Sequence, residues 1–394
     1  FKVSEPIKAD VIIVGAGLVG ASLALALKDA RVSVVLIEAK PPTPISQDSS
    51  WDNRVYAVNP GSEHFLHELG VWQMLDATRL APIETMQVWG DDGEAEIDFT
   101  AQDANQVSLG HIVENRHIQN VLWQTLQQQA HVNVICPARC DSLQFSDNKA
   151  KLKLADGTEI HASLIVGADG ADSWIREQAG MESSGKSYNQ SGVVANFSVE
   201  KHHGNVARQW FDGSSVLAWL PLPGNLMSMV WSLPDQQAHE LLQFDHQALC
   251  EKVAEAGHHG LGKLELMTSP ASFPLRLLQV KQQVKPNVAL VGDAAHAVHP
   301  LAGQGVNLGF QDVRVLTQVL SARASHENCG DYHLLRRFER ARKEDILAMQ
   351  WTTDGLQQLF SLQNGLAKAI RNKGLGLTNR LGWLKRQLIQ HAVR

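Results

Sequence analysis

Three short stretches combine glycines and acids at spacings that suit a bound nucleotide. Gly15, Gly17 and Gly20 follow the apolar run 9–14 and open a helical pattern that continues through Ala30; a second apolar run, 32–37, ends at Glu38. In a strand-helix-strand unit of this form the first glycine makes the tight turn and the second lets backbone approach a diphosphate. The third lets the helix pack closely on the strand, and the acid receives ribose hydroxyls. The glycines alone are weak evidence, but strand, helix and acid in place favour a dinucleotide site over a ligand-free turn. An acid at position 38 selects an unphosphorylated ribose, hence FAD or NAD rather than NADP.

The second stretch is Asp169-Gly170, which follows the apolar run 163–166, and the third is Gly292-Asp293, which follows 288–291. Either could be a plain turn; the repeated strand-to-acid form points to one shared ligand. After Asp293 come His296, His299, Pro300, Gly303, Gln304, Gly305, Val306 and Asn307, with a helical pattern from Gly303. A helix N-terminus with glycines offers free N–H groups and a partial positive charge to a negatively charged ligand, with no side chain to block its approach. His296 and His299 are candidate bases, although hydrogen-bonded structural histidines are the commoner case. Arg54, after a polar loop, could reach cofactor or substrate or simply cap that loop. Arg116 lies near the start of a helix expected over 111–129.

These elements sit in a chain of 394 residues, 44% apolar and 19% charged, which is long enough for two or three domains and a sizeable core. No apolar run approaches the ~18 residues that cross a bilayer, and residues 1–10 lack the layout of a secretory signal, so an intracellular, cytoplasmic protein is expected. The four cysteines, at 136, 140, 250 and 329, form no metal-binding pattern and read as free thiols. No metal is expected. Residues 355–394 carry seven basic residues and no acid, so a basic tail is appended to a body of net charge −13. No nucleic-acid motif accompanies it.

Strands are also expected over 85–99, 132–166 and 188–273, the last with a helix at 236–255, followed by helices over 334–394. Trp210, Trp219, Trp231, Met227, Met229 and Met267 in the large sheet would suit a bulky apolar ligand or ordinary core packing equally well. There is no internal repeat and no second glycine-rich nucleotide unit, so a single resident dinucleotide is expected.

The three motifs in this order resemble the single-component FAD-dependent aromatic hydroxylases, the para-hydroxybenzoate hydroxylase family. Asp52, Arg54 and Ala57, the run 113–115, the run 299–309 and the segment 354–360 narrow the likeness to the ubiquinone-biosynthesis hydroxylases, the UbiH/UbiI/UbiF group; residues 181–280 match least. The resemblance implies an α/β fold with a Rossmann-like FAD-binding domain, an inserted antiparallel-sheet substrate domain and C-terminal helices. The corresponding divisions are 1–80, 108–180 and 281–333 for FAD, 81–107 and 181–280 for substrate, and 334–394 for the helical region with the basic tail. It implies that Glu38 binds the FAD ribose, that Gly15, Gly17 and Gly20 meet the pyrophosphate, and that Arg116 and Asp293 contact the ribityl or diphosphate region. Arg54, Gly170 and Gly292 join that set, and Asp169 is linked to both FAD and the nicotinamide nucleotide. Residues 300–307 are implied to run under the flavin ring, with His299 beside them a candidate for proton transfer, as is His296.

The implied reaction uses NAD(P)H as transient reductant and O2, passes through a flavin C4a-hydroperoxide, and hydroxylates a polyprenylated phenol. A flavin reductase or dehydrogenase on the same fold, and a non-catalytic FAD-containing scaffold subunit, are the competing readings. A halogenase is disfavoured by the missing W-x-W-x-I-P motif, and a disulfide reductase by the missing redox cysteine pair. The basic tail could dock on the inner membrane, a lipid carrier or a biosynthetic complex, or serve as a solvated helix or a homo-oligomer interface.

Overall fold

A computed structural model describes residues 5–45, 50–90, 96–146, 148–213, 215–297, 305–343 and 346. Seven helices are used below: α1 (Leu18–Ala26), α2 (Pro60–Glu68), α3 (Asn115–Leu126), α4 (Trp174–Gln178), α5 (Asp235–Leu242), α6 (His246–Ala256) and α7 (Gly305–Ser321).

The first of two large sheets is built on apolar runs. Strand Ile7–Val14 pairs in parallel with Val34–Ile37 on one side and Glu159–Gly167 on the other. Val132–Ile135 and Val288–Leu290 extend the parallel core outward. The last four residues of the first strand, 11–14, and all of Val34–Ile37 are buried, because α1, α3 and α7 cover one face. The hairpin Cys140–Ser146 and Lys149–Leu154 branches from Glu159–Gly167, and α4 lies on the same side. Two-sided cover is why these strands read as continuous apolar runs rather than alternating ones.

Close helix-to-strand contact rests on missing side chains. A Cβ on Gly20 would lie 1.8 Å from the Gly15 carbonyl oxygen, and one on Gly309 of α7 would lie 2.5 Å from a methyl of Val19. Gly292 also faces Val19, at 3.2 Å, and has φ +60. Val19 is thus the tooth on which α1, α7 and the Gly292–Ala294 turn mesh.

The second sheet has nine strands, and strand Ser183–Val199 is its 17-residue backbone. Its neighbours are Leu226–Pro234 and Ala271–Val280, followed outward by Ser215–Leu222 and Val206–Asp212. The pairings are antiparallel except that Val206–Asp212 runs parallel to Thr85–Trp89. One face is closed by α5 and α6 over Phe197, Trp210, Trp219, Met227, Met229 and Trp231. These aromatics and methionines are therefore core packing on the side turned away from the nucleotide layer. Met267, by contrast, is 51% exposed. The single helix expected at 236–255 is two: the chain breaks after Leu242, and Asp245 caps α6 by accepting the Ala248 N–H at 2.8 Å.

The opposite face, which carries Leu220 and Leu222, packs on a three-stranded sheet of Val55–Val58, Ala81–Ile83 and Gly110–Glu114. The helix expected from His111 starts later for this reason. Residues 110–114 are needed as the central strand of that small sheet, and α3 begins at Asn115.

Candidate functional site

The nucleotide end is formed where parallel strands stop. Gly15 has φ +101, and α1 starts at Gly17 with no capping side chain and no acid in its first turn. Helices α2, α4 and α6, by contrast, are capped by Asn59, Ser173 and Asp245. α3 and α5 also lack a capping side chain, but at α1 the open space beside Gly17 leaves the first N–H groups of a glycine-rich start uncovered, the arrangement of an anion site. Glu38 Oε2 accepts the Ala16 N–H at 2.6 Å, so the acid at the end of the second strand holds the glycine loop in place. Its Oε1 accepts the Lys40 N–H at 3.1 Å.

Asp169 spends its carboxylate locally. One oxygen accepts the Ser173 hydroxyl and the other the Ile175 N–H at 3.0 Å, so it anchors the start of α4. The loop it shapes leans on the nucleotide turn, since a Cβ on Gly15 would meet the Ala168 carbonyl oxygen at 2.4 Å. Gly170, with φ +84 and nothing within 4 Å of a built Cβ, leaves the outer side of this loop open. The Arg176 guanidinium reaches from α4 to the Ala294 carbonyl at 2.9 Å and joins this loop to the Gly292–Ala294 turn.

Asp293 lies on that turn. Its surface is open to solvent, yet protein packs closely around the carboxyl, and burial pushes it above the ordinary carboxylate range against the opposing pull of His296 and Arg54. Asp293 is thus accessible but crowded. Close to Asp293, the Arg54 guanidinium stands 5.5 Å from the centre of the Tyr56 ring. Burial raises the Tyr56 phenol, Arg54 opposes the rise and Asp293 adds to it. Arg54, Tyr56 and Asp293 thus form one polar group at the cleft.

Loop 50–54 is tied down by a buried ion pair absent from the sequence reading. Glu114, 1% exposed, accepts Arg79 Nε at 2.7 Å and Nη2 at 2.9 Å, and also the Asp52 N–H at 2.7 Å. Asp52 in turn accepts the N–H groups of Arg54 and Arg116, each at 3.0 Å. Arg116 donates to the Ser50 carbonyl at 2.9 Å, so it is part of this brace. The loop also reaches the large mixed sheet: Asn196 Nδ2 donates to the Asp52 carbonyl at 2.9 Å, and Asn53 to that of Ser269 at 2.7 Å. Arg79 carried no sequence signal, because a buried partner for an acid 35 positions away has no periodic signature.

At the start of α7, Asn307 Nδ2 donates to the Ala57 carbonyl at 2.9 Å and its Oδ1 accepts the Asn59 N–H at 3.2 Å. Gly305 has nothing within 4 Å of a built Cβ, and Val306 is buried. His299, Pro300, Gly303 and Gln304 lie outside the described residues. His296 is internal, bonded to Asp312 at 2.6 Å, which makes it a structural group. The four cysteines are free thiols, and burial pushes Cys140 up to about 12. No cluster of three metal-binding side chains occurs among the described residues.

An uncapped α1, an acid at the ribose position, and two further strand-to-acid turns around one cleft are the surroundings that FAD requires. The family model described as an FAD binding domain matches residues 8–349. The 3-demethoxyubiquinol 3-hydroxylase of Escherichia coli is 36% identical over 98% of both chains. The chain belongs to the FAD-dependent ubiquinone-biosynthesis hydroxylases. A mitochondrial ubiquinone biosynthesis monooxygenase of Xenopus tropicalis is 34% identical over 98% of this chain and 93% of its own. The crystal structure of p-nitrophenol 4-monooxygenase PnpA from Pseudomonas putida shares the fold with a TM-score of 0.77 at 17% identity, covering 98% of this chain and 99% of that one. The protein is thus an FAD-dependent monooxygenase with a Rossmann-like FAD layer and an inserted sheet. No helix among the described residues is long and apolar enough to cross a membrane.

Proposed function

We propose that this hydroxylase places one oxygen atom on the ring of a polyprenylated phenol, with NAD(P)H as reductant and O2 as oxygen source. The observation that carries this reading is the likeness over nearly the whole chain to a demethoxyubiquinol hydroxylase, together with a cleft set against a broad sheet face. Reduced FAD supplies the activation of O2; the chain supplies position and shelter.

Glu38 holds the adenosine ribose, and Gly15, Gly17 and Gly20 with the start of α1 meet the diphosphate. Arg54 and Asp293 face the ribityl and diphosphate from opposite sides of the cleft. Arg116 sets the loop that presents Arg54, and Asp169 and Gly170 shape the outer rim that a nicotinamide nucleotide approaches. Gly292, Gly305, Val306 and Asn307 bring backbone against the ring end, in line with the role assigned to Pro300, Gly303 and Gln304.

On the substrate side, strand register puts Phe273, Gly192, Ser232 and Val216 in one row across the sheet. The next row is Ala271, Val194, Val230 and Ala218. Val230 packs with the residues that face the small sheet, so both rows lie on the flavin side. Phe273, 40% exposed, lies over Gly192, where a Cβ would meet its ring at 2.8 Å. Phe273 and Ala271, the exposed ends of these rows, with the half-buried Val230, suit contact with a phenol ring and its first prenyl unit. The basic stretch 366–394 docks on an anionic membrane surface that holds such a substrate.

The test is anaerobic reduction of the FAD-loaded protein, followed by mixing with ¹⁸O-labelled O2 and a short-chain prenylated phenol. A product heavier by one labelled oxygen is expected. Reoxidation without labelled product across several phenols would overturn the reading. Salt-sensitive binding to anionic vesicles that is lost on removing 366–394 tests the docking; unchanged binding would reject it.

A further inference from the structure

Behind the Gly292–Ala294 turn lies a buried cluster of charged and titratable groups. Asp312 is 0% exposed, Arg342 1% and His296 3%. Asp312 Oδ2 accepts from His296 Nε2 at 2.6 Å and from the Gly292 N–H at 2.9 Å. Its Oδ1 accepts from Arg342 Nε at 2.7 Å, and Arg342 Nη2 donates on to the Leu308 carbonyl at 3.4 Å. Burial pushes the Asp312 carboxyl up, but His296 and Arg342 outweigh it and leave the group below the ordinary carboxylate range. The hub is therefore an anion that takes its hydrogen bonds from both sides.

What those bonds connect is specific. Gly292 begins the turn that carries Asp293, and His296 precedes residues 298–304. Leu308 lies in the first turn of α7, which starts at Gly305. One carboxylate thus holds the backbone on both sides of 298–304. Stability alone is a weak reason for such a cluster. Desolvating a buried ion pair costs about as much as the pair returns, and apolar residues of equal volume often do as well or better. A charged hub with directional bonds gives a single geometry instead.

We propose that Asp312 is a positioning residue for the flavin. With His296 and Arg342 it fixes the Gly292–Asp293 turn and the first turn of α7 at one spacing, so that both backbone surfaces meet the ring end of FAD together. This rests on the flavin reading above, and it adds a role for residues that touch neither cofactor nor substrate.

The experiment uses the full-length FAD-loaded protein, with FAD dissociation constant, midpoint potential and visible spectrum of the bound flavin, and thermal midpoint as readouts. Wild type must bind FAD; if it does not, the flavin reading fails and not this inference. His296→Leu, which removes a donor from Asp312, is expected to weaken FAD binding about tenfold or more. It should also shift the flavin potential and spectrum at temperatures where the variant is folded. His296→Gln, whose amide can still donate, is expected to restore most of both. A folded His296→Leu protein with wild-type affinity and potential would overturn the proposal, as would a loss in both variants that follows thermal stability alone. Should His296→Leu not fold, Arg342→Lys keeps the charge but loses the fork to Leu308. It is expected to weaken FAD binding several-fold, and unchanged affinity and potential would count against the proposal.

Discussion

The two large sheets both bury their two faces, but they place their chemistry differently. In the parallel sheet the strands are inert and buried, and every candidate polar group stands just beyond a strand end: Glu38, Asp169 and Asp293. In the mixed sheet the register lines up Phe273, Gly192, Ser232 and Val216 across the strands, and of that row only Phe273 is exposed. A loop can be changed without disturbing a sheet, whereas a strand face cannot change without changing its register partners. On the reading proposed above, the cofactor and substrate sides therefore tolerate change differently. The brace from Glu114 and Arg79 through Asp52 to Asn196 ties the small sheet to the mixed sheet, and the pairing of His296–Ala297 with Leu278–Gln279 ties the Gly292–Ala294 turn to it.

The largest effect that would sharpen this contrast is on the parallel side. Gly20→Val forces a side chain into the Gly15 carbonyl, which a Cβ alone would approach to 1.8 Å, and no neighbour other than backbone can yield. FAD content, read from the flavin absorbance of purified protein, is expected to fall to near zero. Normal loading would break the assignment of this turn.

Next in size, Trp219→Ala empties a fully buried position packed edge-on against Trp210 at 4.9 Å, on the face of the mixed sheet turned from the cleft. It should cost about 3–5 kcal/mol in denaturant unfolding. FAD affinity below the unfolding transition should stay unchanged, and a parallel loss of FAD would show that the outer face is not separate from the site.

The smallest effect concerns Asp293. Its carboxyl is raised in the folded protein, so it favours the fold below its unfolded value near 3.8 and loses that contribution as pH rises through the folded value. At neutral pH the charge therefore works against the apo fold. Asp293→Asn is expected to leave the apo-protein as stable or slightly more stable at pH 7 and to flatten its pH dependence in the weakly acidic range, while weakening FAD binding. Apo-protein made less stable at pH 7 would mean that the acid serves the fold rather than the ligand.

The parallel side was legible because tight turns admit few residue types. Gly15 and Gly20 are dictated by contacts that a Cβ would violate, and Gly292 by its φ of +60, and such positions show in sequence as spacing. The motif-free features arose where partners lie far apart in the chain. The pairs Glu114 with Arg79 and Asp312 with Arg342 leave no periodic trace, and Asp312 reads as one more polar position on a helix. His296 read as a candidate base because a histidine between two glycine-rich turns looks the same whether it faces a ligand or an internal carboxylate. The break between α5 and α6 was missed for a local reason: their apolar spacing continues across Gln243–Asp245, and only the cap at Asp245 ends it. The tryptophans and methionines were ambiguous because strand alternation tells two faces apart without saying which one meets the cleft.

The meshing of Val19 with Gly292 and Gly309 also constrains how the chain can change over generations. The three positions, far apart in sequence, share one small volume. Enlarging residue 19 closes the space that α7 needs, and adding a methyl at 309 requires a smaller neighbour at 19 first. Substitutions at these sites are therefore tolerated in one order and not the other, and a reversion at 19 becomes costly once 309 has grown.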